Sequence, residues 1–341
     1  MDLRVSIRKK LRDFVLDVDF SVCDEIFALL GASGSGKSIT LKCIAGIETP
    51  DEGEIILNGR TLFDSAKKIN LPPQLRRAGY LFQNYALFPN MTVAENILLA
   101  AVGSAEEKQR KLKENLLRFQ LDGLENVYPN ELSGGQQQRV AFARVLTSHA
   151  EILLLDEPFS ALDSYLRWQL ELELAEIFKI YGAAILVSHE RGEVYRLADK
   201  VAVMNAGKID TVDGKREVFK NPKTLAAMIL TGCKNISPAK KISADKIFAE
   251  DWQLTLTAEN IPDDLKFVGI RAHDLELCNE LGENTFEIEV VQVIEDTFSY
   301  IVMVRAAGGK PIRFELGTNN SELETSCFLH FPIEKIILAS D

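Results

Sequence analysis

One eight-residue stretch, Gly31-Ala32-Ser33-Gly34-Ser35-Gly36-Lys37-Ser38, constrains this chain more than any other. It follows an apolar run at residues 26–30 and precedes Ile39, Leu41, Ile44 and Ala45, which recur at helical spacing. The pattern predicts a buried strand, a glycine-rich turn and a helix N-terminus in that order. Such a turn lets backbone N–H groups converge on an anion, and the helix end adds positive potential. Lys37 is then placed to reach the β- and γ-phosphates of a nucleotide, and the Ser38 hydroxyl to ligate Mg²⁺. A turn that only links strand to helix is the plainer reading of the same residues.

A phosphate-holding loop serves many activities, so the discriminating residues lie downstream. Ile152-Leu153-Leu154-Leu155-Asp156-Glu157 is a continuous apolar run ending in two acids. It predicts a parallel strand that brings a carboxylate to the sheet edge beside the phosphate loop. Asp156 would hold Mg²⁺ through water, and Glu157 would polarise the water that attacks a γ-phosphate. Two acids after a strand also make an ordinary solvated turn. Leu132-Ser133-Gly134-Gly135-Gln136 opens an amphipathic run, and so predicts a second helix N-terminus able to meet phosphate.

With that segment and the following Gln137-Gln138-Arg139, the chain resembles the nucleotide-binding subunit of an ATP-binding cassette (ABC) transporter. The resemblance covers about the first two thirds of the chain. It implies an α/β P-loop NTPase cassette at residues 1–232 with a helical subdomain at about 84–148. It also implies a head-to-tail homodimer, in which Ser133, Gly134, Gly135 and Gln136 of one copy contact nucleotide held by the other. Gln83 matches the glutamine that ligates Mg²⁺ and registers the γ-phosphate. Asp163, in Ser160-Ala161-Leu162-Asp163, matches the loop that crosses the dimer interface, and His189 matches the switch histidine that works with Glu157. Phe14 stands where the family stacks an aromatic ring on adenine, although the alternation Phe14, Leu16, Val18, Phe20 equally fits a strand's core face. Tyr85-Ala86-Leu87-Phe88-Pro89-Asn90-Met91-Thr92-Val93 resembles the segment of bacterial importers that receives a helix of the membrane subunit. Docking of integral-membrane permease subunits is therefore expected near residues 83–89, with Leu87 and Phe88 in the groove. An extracytoplasmic solute-binding protein would participate indirectly.

Composition fits this picture. The 341 residues are 46% hydrophobic, enough for two sizeable cores. No apolar run approaches the ~20 residues of a membrane span, and no secretory signal is evident. The expectation is a peripheral protein on the cytoplasmic face of the cell membrane. Five cysteines form no C-x-x-C pair, which fits a reducing compartment and suggests no metal of their own. The net charge of −11 argues against nucleic acid as a partner. A cassette protein acting on DNA or ribosomes is the rival from another class, and would usually carry two cassettes and basic surfaces.

Beyond about residue 231, short strand-like runs predict a small all-β domain at 233–341. Val268-Gly269-Ile270-Arg271-Ala272-His273-Asp274 resembles a segment of importer ATPases with an oligonucleotide-fold (TOBE-type) regulatory domain. Leu230-Thr231-Gly232-Cys233-Lys234-Asn235-Ile236 looks most like molybdate-type oxyanion importers, so molybdate or tungstate is the expected cargo. Sulfate, sugar, polyamine and ferric iron are the alternatives. Arg271, His273, Lys310 and Arg313 are cationic groups that an oxyanion would need in the tail; scattered solvent-facing charges are the plainer reading.

Overall fold

A computed structural model of the chain describes residues 1–148, 150–160, 164–317 and 328–340. They form two compact units, Met1–Lys215 and Arg216–Asp341.

Among the described residues, the first unit holds an eleven-stranded sheet. Its strands are β1 (Asp2–Lys10), β2 (Val15–Cys23), β3 (Ile26–Gly31), β4 (Glu52–Leu57), β5 (Arg60–Asp64), β6 (Ile69–Asn70), β7 (Ala78–Leu81), β8 (Ile152–Asp156), β9 (Ala184–Ser188), β10 (Lys200–Asn205) and β11 (Lys208–Gly214), in the order β6-β5-β4-β1-β2-β11-β10-β3-β9-β8-β7. The two halves differ in the way their sequences predict. In β3, β8 and β9 every residue is buried, as expected of parallel strands covered on both faces. In β2 burial alternates residue by residue, the period of a strand with one wet face.

β10, β3, β9, β8 and β7 run parallel, so their carboxyl ends share one edge of the sheet. That edge is where open α/β sheets bind ligands. β3 delivers Gly31 to it and β8 delivers Asp156, while β9 ends one residue before His189 and β7 two before Gln83.

The helices in this unit are α1 (Lys37–Ala45), α2 (Pro73–Arg76), α3 (Val93–Leu98), α4 (Ala105–Arg118), α5 (Gly134–Thr147), α6 (Ser164–Tyr181) and α7 (Arg191–Leu197). Thr92, Ser104 and Ser133 each cap a helix and pair with an acid or glutamine three residues on, which satisfies two orphan N–H groups per end. α3, α4 and α5 pack into one helical layer through Val93, Ile97, Leu112, Leu116, Phe119 and Phe142.

The second unit contains α8 (Lys215–Lys220, whose first residue still belongs to the first unit) and α9 (Leu225–Leu230). Two five-stranded sheets follow, β14-β13-β12-β15-β21 and β16-β20-β17-β18-β19. Their strands are β12 (Asn235–Lys241), β13 (Lys246–Ala249), β14 (Leu254–Thr257), β15 (Phe267–Ile270), β16 (Glu276–Cys278), β17 (Thr285–Asp296), β18 (Ser299–Ala306), β19 (Ile312–Leu316), β20 (Phe328–His330) and β21 (Ile337–Ala339). The core holds Trp252, Leu254, Val268, Val302, Val304, Phe314 and Phe331. Asn235 joins the sheets by exchanging two hydrogen bonds with the Arg313 backbone, at 2.7 and 2.8 Å. The division falls upstream of the composition change because Met228 of α9 is buried against Cys233, Ile337 and Ala339.

Each of the four tail groups has a partner in the protein. Arg271 donates to the Thr231 and Phe219 carbonyls near the ends of α9 and α8. Lys310 pairs with Asp251 at 2.9 Å, Arg313 with Glu315 at 2.8 Å, and His273 lies 3.9 Å from Asp274.

Candidate functional site

The phosphate loop takes its shape from three glycines used in different ways. A Cβ on Gly31 would lie 2.5 Å from the Met204 carbonyl oxygen, so β10 packs directly on its backbone. Gly36, at φ +106°, turns the chain into α1 and would place a Cβ 2.8 Å from Leu16. Gly34 is open to the cleft side, with no atom within 4 Å of an added Cβ. Ser35 N–H closes the loop on the Ala32 carbonyl at 3.2 Å.

Lys37 is buried and donates from Nζ to the Gly31 and Ala32 carbonyls, each at 2.8 Å. Burial pushes its pKa down, and the charges of Glu157 and Asp156 oppose that. The ammonium is thus held against neutral carbonyl acceptors, and among the described residues no carboxylate is hydrogen-bonded to it, which leaves its charge to meet an anion such as a phosphate.

Phe14, Ser33, Gly34, Gly36, Lys37, Ser38, Gln83 and Glu157 line one cleft of about 430 Å³, together with Leu11 and Ile39. Phe14 precedes β2 rather than alternating within it, and it also packs beneath Gly36 and Gly207. Its two readings therefore coincide in position: one ring both covers the core and walls the cleft.

Ser38 Oγ donates to Asp156 Oδ1 at 2.7 Å, and Tyr80 donates its phenol proton to Asp156 Oδ2 at 2.8 Å. Gln83 Nε2 reaches Glu157 Oε2 at 3.2 Å, and His189 Nδ1 lies 3.1 Å from Glu157 Oε1. Ser38 and Gln83 line the cleft and Asp156 is bonded to Ser38; their hydroxyl, carboxamide and carboxylate oxygens are hard donors of the kind Mg²⁺ takes. A carboxylate with a histidine against it, beside a phosphate cradle, is equipped to accept a proton from water.

Not every expected residue joins this group. Ser133 caps α5, accepting from Gln136 N–H while Gln136 Oε1 accepts from Ser133 N–H at 2.9 Å. Ser133 and Gly134 are exposed, and none of residues 133–136 lines the cleft of their own chain. Asp163 lies outside the described residues. Of the two side chains expected in a docking groove, Leu87 packs into the core beside α5 whereas Phe88 is 43% exposed.

Tyr80 carries no motif, and it escapes sequence reading because only the pairing of β7 with β8 brings it near Asp156. Arg144 is the second omission. It donates to the Tyr85 and Ala86 carbonyls at 2.7 Å each, and fixes two consecutive left-handed residues directly after the Gln83 segment.

Comparison with known proteins decides the family. Residues 16–160 match the sequence profile described as ABC transporter. A sulfate/thiosulfate import ATP-binding protein (CysA) of Brucella melitensis biotype 1 is 39% identical over 294 residues, 83% of this chain and 80% of the relative. The chain belongs to the importer-type ATP-binding subunits of ABC transporters. The corresponding protein of Synechocystis sp. is 36% identical over 85% of this subunit and 80% of the relative. A spermidine/putrescine import ATP-binding protein (PotA) of Acidothermus cellulolyticus is 43% identical, over 63% of the subunit and 56% of the relative. In structure, the subunit is similar to the dimeric ATP-binding cassette MJ0796 in a post-hydrolysis state bound to ADP and Pi, at 28% identity and TM-score 0.54, over 63% of this chain and 99% of the other. The subunit is therefore an ABC ATPase whose hydrolysis is coupled to transport. Among its described residues no helix is long and apolar enough to cross a membrane.

Proposed function

We propose that this subunit powers uptake of a tetrahedral oxyanion, with sulfate or thiosulfate as first choice. The observation that carries this is how far the likeness extends. A match over 83% of the chain must continue into the second unit, because Met1–Lys215 is too short to contain it. The polyamine relative matches over 63%, a length the first unit alone accommodates. Molybdate is named by none of the relatives described above; it shares with sulfate the charge and shape that a binding protein recognises. The pairing of Arg271, Lys310 and Arg313 with protein acceptors favours cargo selection outside this chain. Spermidine or putrescine is the second reading, favoured by the 43% identity within the cassette.

In the cassette, Lys37 and the amides of residues 33–38 hold the β- and γ-phosphates, while Phe14 stacks on the base. Ser38, Gln83 and Asp156 supply oxygen to Mg²⁺, which when bound would neutralise phosphate charge. Glu157 takes the proton of the attacking water, and His189 faces both that carboxylate and the γ-phosphate. Residues 133–136, outside their own cleft and with Ser133 and Gly134 exposed, together with Asp163, complete the site of a second copy. Closure of two copies on two ATP molecules would pull permease subunits bound near residues 83–89, at the cytoplasmic face of the membrane, with a solute-binding protein engaged on the far side.

Uptake of labelled sulfate, molybdate and putrescine by cells carrying the intact chain or Glu157→Gln tests the cargo. Selective loss of sulfate uptake supports the first reading. Loss of molybdate alone restores the expectation from the boundary sequence, and loss of putrescine alone overturns the oxyanion reading.

A further inference from the structure

Ser188 and Glu193 form a buried pair that the motifs do not account for. Ser188 ends β9 and is 2% exposed, and Glu193 sits in the first turn of α7 at 4%. The Ser188 hydroxyl donates to Glu193 Oε2 at 2.6 Å, and Ser188 Oγ in turn accepts the Glu190 backbone N–H at 2.9 Å. These bonds bracket His189, whose side chain is itself 46% exposed. The imidazole is half exposed and its side-chain partner is Glu157, at 3.1 Å, so its orientation also depends on the peptides on either side.

The second oxygen of Glu193 lies 3.7 Å from Arg167 of α6, and Glu171 of α6 forms a fork-like pair with Arg196 of α7. α7 is thereby pinned, and with it the carboxylate that Ser188 addresses. A polar cavity of about 40 Å³, roomy enough for a water, is lined by Glu157, His189, Ser188 and Glu193, so this pair walls the compartment in which the proposed base works.

We infer that Glu193 is a positioning residue for the ATPase reaction, acting through the Ser188 hydroxyl to aim His189 at Glu157 and the γ-phosphate. The inference rests on the reading of the cleft given above. A buried carboxylate is costly in this place unless it is hydrogen-bonded, and the bond it makes is the one that fixes the turn after β9.

The test is steady-state ATP hydrolysis by the full chain bearing Ser188→Ala, Glu193→Ala, both changes together, Glu193→Gln, or His189→Ala. Misplacing a reacting group by about 1 Å can cost about a hundredfold in rate, and a smaller tilt correspondingly less. Ser188→Ala and Glu193→Ala should each lower kcat about tenfold with the ATP KM unchanged. The double variant should fall no further, since both changes break one device. Glu193→Gln, which still presents an oxygen to Ser188, should keep activity near parental. The imidazole NMR signals of His189, picked out among four histidines by their loss in His189→Ala, should shift in the impaired variants and not in Glu193→Gln.

A silent Ser188→Ala beside an impaired Glu193→Ala overturns the inference and leaves Glu193 acting through Arg167. Parental rates in both, with His189→Ala inactive, overturn it while sparing the cleft. A fully active His189→Ala overturns the reading of the cleft and this pair's role with it.

Discussion

Tyr80 donates its phenol proton to Asp156 Oδ2 at 2.8 Å, so with Ser38 on Oδ1 both oxygens of that carboxylate are oriented by protein donors. Burial first, and then the Asp156 charge, push the phenol pKa well above its ordinary value, so Tyr80 remains a donor across the working pH range. Losing one such bond to a charged acceptor costs about 1.5–3 kcal/mol. Tyr80→Phe should raise the Mg²⁺ needed for half-maximal ATP hydrolysis by about tenfold or more. Nucleotide binding in EDTA should be unchanged. Mg²⁺ titrations of ATPase rate, with fluorescent-nucleotide binding as control, check both expectations; an unmoved Mg²⁺ curve would remove Tyr80 from the metal site.

Glu157 stands between Gln83 and His189, at 3.2 and 3.1 Å, with a left-handed backbone at φ 47°. A non-glycine residue in that region is strained, and such strain concentrates at functional positions. Glu157→Gln keeps the shape and removes the base, so kcat should fall about 10²- to 10⁴-fold while ATP still binds. The bound, unhydrolysed nucleotide should accumulate a closed dimer, measured as a doubled mass by light scattering with ATP. Hydrolysis at the parental rate would show that another group takes the proton.

How much of this was legible in the sequence follows from which interactions are local. The phosphate loop, the carboxyl-terminal pair of β8 and the capped start of α5 each lie within a few consecutive residues, so the candidates Lys37, Asp156 and Ser133 stand out from local pattern. Tyr80, Arg144 and Glu193 act across strands or between helices, where the partner is set by sheet order and packing. For Glu193 the distance in sequence is only five residues, yet nothing in an amphipathic helix start reveals that its acid turns inward to a serine. The second unit was visible as strand-like runs, but the long β17–β18 hairpin and the bond between Asn235 and Arg313 were not.

Arg144 holds Tyr85 at φ 61° and Ala86 at φ 45° through two carbonyl bonds, and its guanidinium lies 5.9 Å from the Phe88 ring centre. Each left-handed residue costs roughly 1–2 kcal/mol, so the turn before Phe88 depends on that grip. Arg144→Met should increase amide hydrogen exchange across residues 84–91 by about tenfold or more while ATP binding persists. Adding Ala86→Gly, which tolerates the left-handed backbone, should return part of the protection. Exchange equal to the parental rate in Arg144→Met would assign the turn's stability to Asn96 alone, whose side chain donates to the Phe88, Met91 and Thr92 carbonyls.

Arg76 is fully buried without a carboxylate, and its guanidinium donates to the Leu71, Cys43 and Ile44 carbonyls and to Asn70. The Cys43 and Ile44 carbonyls belong to the last turn of α1, so a cation caps the negative end of the helix that begins at the phosphate loop. Arg76→Met leaves those neutral acceptors unpaired, at about 1–3 kcal/mol for each that stays dry, and should lower stability by about 3 kcal/mol or more. Arg76→Lys should recover less than half of this, because an ammonium cannot span the fork. Urea unfolding of the cassette transition measures both, and a loss below about 1 kcal/mol for the methionine variant would mean that water replaces the guanidinium.

Cys43, in the last turn of α1, is fully buried, and burial raises its thiol pKa from 9.0 to about 12. The folded chain therefore keeps a proton that the unfolded chain gives up near pH 9. With more protons bound in the folded state, stability must fall as pH rises from about 9 towards 12, and this group contributes no slope below that window. Cys43→Ala deletes the component, so its unfolding free energy should decline less steeply between pH 8.5 and about 10.5 than that of the parent, even though the cavity makes it less stable at pH 7. Urea midpoints across that range decide the matter. Parallel slopes would mean that the thiol ionises as readily in the folded protein as in the unfolded chain, and that the packing around the end of α1 admits water.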